Sequence, residues 1–132
     1  MALKTLIVED NATFRGAFKE VLCKLFPSAI VEEATDGPQA LSKVESFSPD
    51  LIFMDVRLPG ETGLELTRKI KAVHPHISIV VLTDYDLPEY REAAFESGAD
   101  DFVVKGSLNP PAIAALVKSI ASQKNPPSKL SS

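Results

Sequence analysis

The sequence predicts an α/β fold: a three-layer sandwich with a central five-stranded parallel sheet between two layers of helices. Three observations carry this. Short apolar runs alternate with stripes of apolar residues at helical spacing, five times over. The central runs are apolar at every position, as in parallel strands covered on both faces. Most of the stripes are preceded by residues that start helices, such as Asp36, Thr62 and Asn109.

Taken in order, residues 5–8 form the first strand, a short run rich in branched side chains. Phe14, Ala17, Phe18, Val21, Leu22 and Leu25 then recur at helical spacing, and Pro27 stops that helix. Cys23 is expected on its buried side, as a small core residue. Residues 30–34 read as the second strand. Asp36 and Gln39 resemble a capping box before Ala40, Leu41 and Val44. Residues 51–55 are the third strand, apolar until Asp55. Thr62 and Glu65 form a further capping box, ahead of Leu66, Ile70 and Val73. Residues 77–82 are the fourth strand. Asp86 and Glu89 predict another capping box, and Gly98 suits the end of that helix. Residues 102–104 form a short fifth strand. Asn109 is placed to cap the last helix, with Pro110 in its first turn. Ile113, Leu116, Val117 and Ile120 form its apolar stripe, part of which is expected to be spare for a symmetric homodimer.

Residues 1–121 therefore read as one domain, large enough at 45% hydrophobic residues to bury its own core. Residues 122–132, beginning Ser-Gln-Lys-Asn-Pro-Pro, have the composition of a flexible tail or the start of a linker. No apolar run approaches the roughly 20 residues of a membrane helix. The N-terminus lacks a signal-peptide cleavage pattern, and the single cysteine, Cys23, permits no intrachain disulfide. A soluble, cytoplasmic protein is expected. Fourteen basic against 18 acidic residues give a net charge of −4, with no basic cluster. That argues against direct nucleic-acid binding by this chain.

The chemistry-bearing residues fall at the carboxyl ends of strands. Glu9 and Asp10 follow the first strand, Asp55 ends the third, Thr83 follows the fourth and Lys105 the fifth. In open parallel sheets, ligands bind beyond the carboxyl ends where strand order reverses. Three carboxylates converging there repel one another unless a cation compensates, and a site with few protein oxygens suits hydrated Mg²⁺. A carboxylate nucleophile, Mg²⁺, a lysine and a hydroxyl are the parts required for phosphoryl transfer to aspartate.

Glu9-Asp10, the segment Met54-Asp55-Val56-Arg57-Leu58-Pro59-Gly60, Leu82-Thr83 and Val104-Lys105 together resemble the receiver domain of bacterial two-component response regulators. Ser97-Gly98-Ala99-Asp100 and Val104-Lys105-Gly106-Ser107 resemble the NarL/LuxR class in particular. The resemblance implies a flavodoxin-like (βα)5 fold with strand order 2-1-3-4-5. It implies Asp55 as the residue phosphorylated by a sensor histidine kinase. Glu9, Asp10 and Asp55 would hold Mg²⁺, with the Arg57 carbonyl as a further ligand. Lys105 and Thr83 would contact phosphoryl oxygens, and Thr83 and Phe102 would switch position. Contact with DNA would come only through an output domain absent from this chain. Asp84 is larger than the residue common in the family after the conserved Thr or Ser. It would narrow access to the site, with Arg57 as its expected ion-pair partner.

Simpler roles exist for each residue alone. Glu9 or Asp10 could cap the first helix, Thr83 could pack within the sheet, and Phe102 could be core. His74 and His76 flank Pro75 without a nearby third ligand, which fits solvated residues better than zinc. Tyr85 and Tyr90 could be packing or part of a surface that changes on activation. At the level of function, one alternative is a receiver-fold interaction module that is never phosphorylated. A flavin protein is less compatible, because Glu9-Asp10-Asn11 stands where a phosphate-binding loop would be.

Overall fold

The computed structural model describes residues 3–124. The elements are β1 (Lys4–Val8), α1 (Ala12–Leu25), β2 (Ile30–Ala34), α2 (Gly37–Phe47), β3 (Leu51–Asp55), α3 (Gly63–Val73), β4 (Ser78–Thr83), α4 (Pro88–Glu96), β5 (Asp101–Val104) and α5 (Pro110–Lys124). A 3-10 turn, Lys105–Ser107, joins β5 to α5. All strand pairs are parallel, in the order β2-β1-β3-β4-β5. The expected flavodoxin-like three-layer sandwich is thereby observed, strand order included.

Strict alternation explains the continuous apolar runs. Leu6, Val8, Ile52, Met54, Ile79 and Val81 point to the face covered by α2, α3 and α4. Ile7, Leu51, Phe53, Val80 and Leu82 point to the face covered by α1 and α5. Each central strand therefore has no polar side. The edge strand β2 departs from this because it is half-exposed. Its Glu32 pairs with Lys43 of α2, and its Glu33 with Arg15 and Lys19 of α1. Charges on an edge strand also discourage pairing with another chain.

Helix starts follow the expected residues in most places. Thr62 and Glu65 form the full reciprocal capping box. Asn109 Oδ1 accepts from Ala112 N–H at 2.9 Å. Asp36 caps α2 by accepting from Gln39 N–H, but the Gln39 side chain reaches back to Thr35 N–H and not to its cap. Asp86 and Glu89 form no capping box. Helix α4 starts later, at Pro88 with Leu87 as its uncapped N-cap, because proline suits a first turn whose N–H groups lack partners. Asp86 instead lies 3.9 Å from Arg91. Neither Glu9 nor Asp10 caps α1. Asn11 does, accepting from Phe14 N–H.

One burial expectation changes. Cys23 is exposed, since it lies a full residue step, about 100°, from the buried Phe18–Leu22 stripe. On α5, Ile113, Val117 and Ile120 are buried in the core, and Leu116 packs against it but stays partly exposed. Helix α5 runs to Lys124, three residues beyond the expected domain end at 121. The rest of the expected tail, 125–132, lies outside the described residues.

Candidate functional site

Strands β1 and β3 are neighbours, but the chain leaves β1 towards α1 on one face and β3 towards α3 on the other. That divergence opens a cleft of about 610 Å³ at the carboxyl edge, lined by Glu9, Asp10, Asp55, Arg57, Asp84 and Lys105 among others. Strand register sets the floor: Val8 pairs with Met54, and Asp55 with Leu82. One carboxylate oxygen from each of Glu9, Asp10 and Asp55 lies within 4.8 Å of the others. No other group of three or more metal-capable side chains of this kind occurs among the described residues. The His74–His76 pair stands apart, with His74 Nε2 3.0 Å from Glu45.

Glu9 is almost fully buried and Asp55 nearly so, whereas Asp10 is exposed. Lys105 Nζ lies 2.6 Å from Glu9 Oε1 and 3.2 Å from Asp55 Oδ1. Burial pushes the Asp55 carboxyl up, and the Glu9 charge adds to this; the Lys105 charge opposes both but does not prevent a rise from 3.8 to about 7. For Lys105, burial alone would lower the ammonium. The charges of Glu9 and Asp55 outweigh it and hold Lys105 above its ordinary value.

Glu9 is held from both ends. Its Oε2 accepts from Asn11 N–H at 3.1 Å, and its carbonyl accepts from Arg15 Nη1 at 2.8 Å. Its Oε1 faces the Lys105 charge but has no hydrogen-bond partner. A buried oxygen left in this state beside two further carboxylates is a donor set that fits a hard, oxygen-seeking divalent cation.

Four expected residues, Glu9, Asp10, Asp55 and Lys105, thus meet directly. Thr83 is buried at the end of β4 and does not line the cleft; its Oγ1 accepts from Tyr85 N–H at 3.2 Å. Phe102 is also away from the cleft, buried on the α2–α4 face with the Arg91 guanidinium 4.9 Å from its ring centre. Arg57 lines the cleft but does not pair with Asp84. Its guanidinium stacks on Tyr85, 5.2 Å from the ring centre, because a planar cation can lie flat on an aromatic face. Asp84 stays exposed at the rim.

The sequence reading missed Asn11, Arg15 and Gly63. Asn11 had the only signal of the three, as a cap-type residue at the end of an acidic pair. Gly63 is required by close approach: a Cβ there would lie 1.9 Å from the Asp55 carbonyl oxygen. Its N–H donates to Val56 O at 2.8 Å, which draws the start of α3 against the end of β3 and fixes the chain just beyond Asp55.

The sequence matches the response regulator receiver domain family over residues 5–118. Among curated relatives, it is 31% identical over 105 residues to response regulator GacA of Pseudomonas syringae pv. syringae (strain B728a), covering 80% of this chain and 49% of that protein. It is 34% identical over 115 residues to oxygen regulatory protein NreC of Staphylococcus carnosus (strain TM300), covering 86% of this chain and 53% of that one. The chain therefore spans about half the length of these relatives. Among solved structures, a LuxR-family two-component response regulator from Aurantimonas sp. SI85-9A1 superposes with a TM-score of 0.83 at 28% identity, over 93% of this chain and 87% of that one.

Proposed function

Because this chain belongs to the response regulator receiver domain family, we propose that Asp55 is the residue through which it receives its signal, as a phosphoryl group from a sensor histidine kinase. The observation that supports this best is the placing of Asp55: a nearly buried carboxylate at the end of an apolar strand, 3.2 Å from Lys105 Nζ and clustered with Glu9 and Asp10. One Asp55 oxygen attacks phosphorus as the phosphorus–nitrogen bond of the phosphohistidine breaks. The products are an aspartyl phosphate and a free imidazole.

Glu9, Asp10 and Asp55 would hold Mg²⁺, and the Arg57 carbonyl would complete the set. When bound, the ion supplies positive charge against the carboxylates and the phosphoryl oxygens. Lys105, already poised beside Asp55, would pair with a phosphoryl oxygen. Thr83 accepts a hydrogen bond from Tyr85, which leaves its own O–H proton for donation to another phosphoryl oxygen. Breaking the Thr83–Tyr85 contact would carry the signal into the loop before α4. Arg91, stacked on Phe102, would carry it onto the surface formed by α4, β5 and α5.

The readout would be an output domain beyond this chain that regulates transcription and supplies any contact with DNA, in a cytoplasmic setting and with homodimerisation as one route. No helix among the described residues is long and apolar enough to cross a membrane. The domain assists its own phosphorylation and is a signalling element. Incubation with a small phosphodonor and Mg²⁺ should add one phosphoryl group per chain by intact-protein mass spectrometry. Equal labelling of Asp55→Asn would refute the assignment and favour an interaction module that is not phosphorylated.

A further inference from the structure

Lys105 is bounded by two carboxylates and by one aromatic ring. Its Nζ sits 4.7 Å from the centre of the Phe14 ring, 2.6 Å from Glu9 Oε1 and 3.2 Å from Asp55 Oδ1. Phe14 stands in the first turn of α1 and lines the cleft. Its ring stacks on Phe18 at 5.6 Å and 14°, and Phe18 meets Phe53 edge-on at 4.8 Å and 88°. Phe53 is fully buried in β3, two residues before Asp55. A ladder of three rings therefore starts on the strand that carries Asp55 and ends on the ammonium that faces it.

Lys105 needs such support. It lies on a 3-10 turn outside the sheet, and a Cβ at the adjacent Gly106 would meet nothing within 4 Å. The side chain is nevertheless 12% exposed. The Glu9 contact is a short ion pair, 2.6 Å from Nζ to Oε1. An aromatic face replaces part of the lost hydration of a cation and tolerates changes in its orientation. The ammonium can thus tilt from Asp55 towards a newly arrived anion while keeping contact with the ring.

We propose that Phe14 is a positioning residue for Lys105, holding its ammonium against the Glu9–Asp55 side of the cleft so that it meets the incoming phosphoryl oxygen. The effect on phosphorylation rests on Asp55 being the acceptor, whereas the contact itself does not. The test compares the full chain with Phe14→Leu and Phe14→Tyr. Without a phosphodonor, the Lys105 side-chain methylene protons should show an upfield ring-current shift by NMR, kept in Phe14→Tyr and lost in Phe14→Leu. With a small phosphodonor and Mg²⁺, Phe14→Leu should be labelled about three- to tenfold more slowly at an unchanged circular dichroism spectrum, and Phe14→Tyr near the parent rate. Loss of rate in both variants would assign Phe14 to general packing and overturn the proposal, as would an unshifted Lys105 in the parent or a parent-like rate in Phe14→Leu. If the parent itself takes no phosphoryl group, the reading of Asp55 fails, and the Lys105 shifts still decide whether Phe14 holds the ammonium.

Discussion

Replacing Asp55 by Asn should stabilise the metal-free protein at alkaline pH and do little at acid pH. Asn has the shape of the neutral carboxyl, so the substitution removes the charge and leaves the packing. The folded protein holds the Asp55 carboxyl at about 7 against an ordinary 3.8, chiefly through burial and the Glu9 charge. A raised carboxyl means that the folded state binds the proton more tightly than the unfolded chain. Its contribution to stability is therefore complete below about pH 4, is lost as pH rises towards 7, and is absent above that. At about 1.4 kcal/mol per pH unit, the interval corresponds to roughly 4 kcal/mol as a ceiling. Water entering the cleft and small movements of Lys105 reduce this, so a gain of about 2–4 kcal/mol is expected above pH 8. For a domain of this size, about 1 kcal/mol moves the melting temperature by roughly 3–5 °C. The assay is thermal unfolding in a chelator, parent against Asp55→Asn, at pH 3 and pH 8.5. The two proteins should converge at pH 3 and separate by about 6 °C or more at pH 8.5. A variant no more stable than the parent at pH 8.5 would refute the reasoning that unrelieved carboxylate charge is stored at this site.

The same charge should be relieved by metal: millimolar-range Mg²⁺ should raise the parent melting temperature at pH 8, chelation should reverse it, and Asp10→Asn should abolish it, all read by differential scanning fluorimetry. Asp84 is exposed at the cleft rim without Arg57 as partner, so Asp84→Ala should speed both labelling by an anionic phosphodonor and loss of the label. The gain should shrink at high salt with little change in melting temperature, and unchanged rates at low salt would make Asp84 an ordinary loop residue. Gly63→Ala places a Cβ 1.9 Å from the Asp55 carbonyl oxygen and should cost about 2 kcal/mol or more in urea denaturation, with slower Asp55 labelling in what remains folded.

Local pattern carried most of what was readable. The five strand–helix repeats, the third strand ending at Asp55 and the caps at Thr62 and Asn109 depend on neighbours a few residues away, and they stand as expected. The convergence of Glu9, Asp10, Asp55 and Lys105 was legible because each lies at or just beyond a strand's carboxyl end, and parallel strands bring those ends to one edge. The strand order itself came from family resemblance, since no periodicity distinguishes the neighbours of β1.

What only the tertiary structure decided are the partners and the azimuths. Arg57 had an acid and a ring within reach, choices of similar energy, and its position on the rim selects Tyr85 over Asp84. Asp86 had a capping pattern, but Pro88 moved the helix start past it. Cys23 and Leu116 lie on α1 and α5, whose rotation is set by packing against the sheet; that rotation exposes Cys23 and draws Leu116 against the core. The sequence by itself determined which groups reach the carboxyl edge, because chain direction and period are local properties. Only the folded chain determined that Lys105 stands between Glu9, Asp55 and Phe14, and that Gly63 must lack a side chain. Those distances depend on how residues far apart in sequence pack around one buried charge.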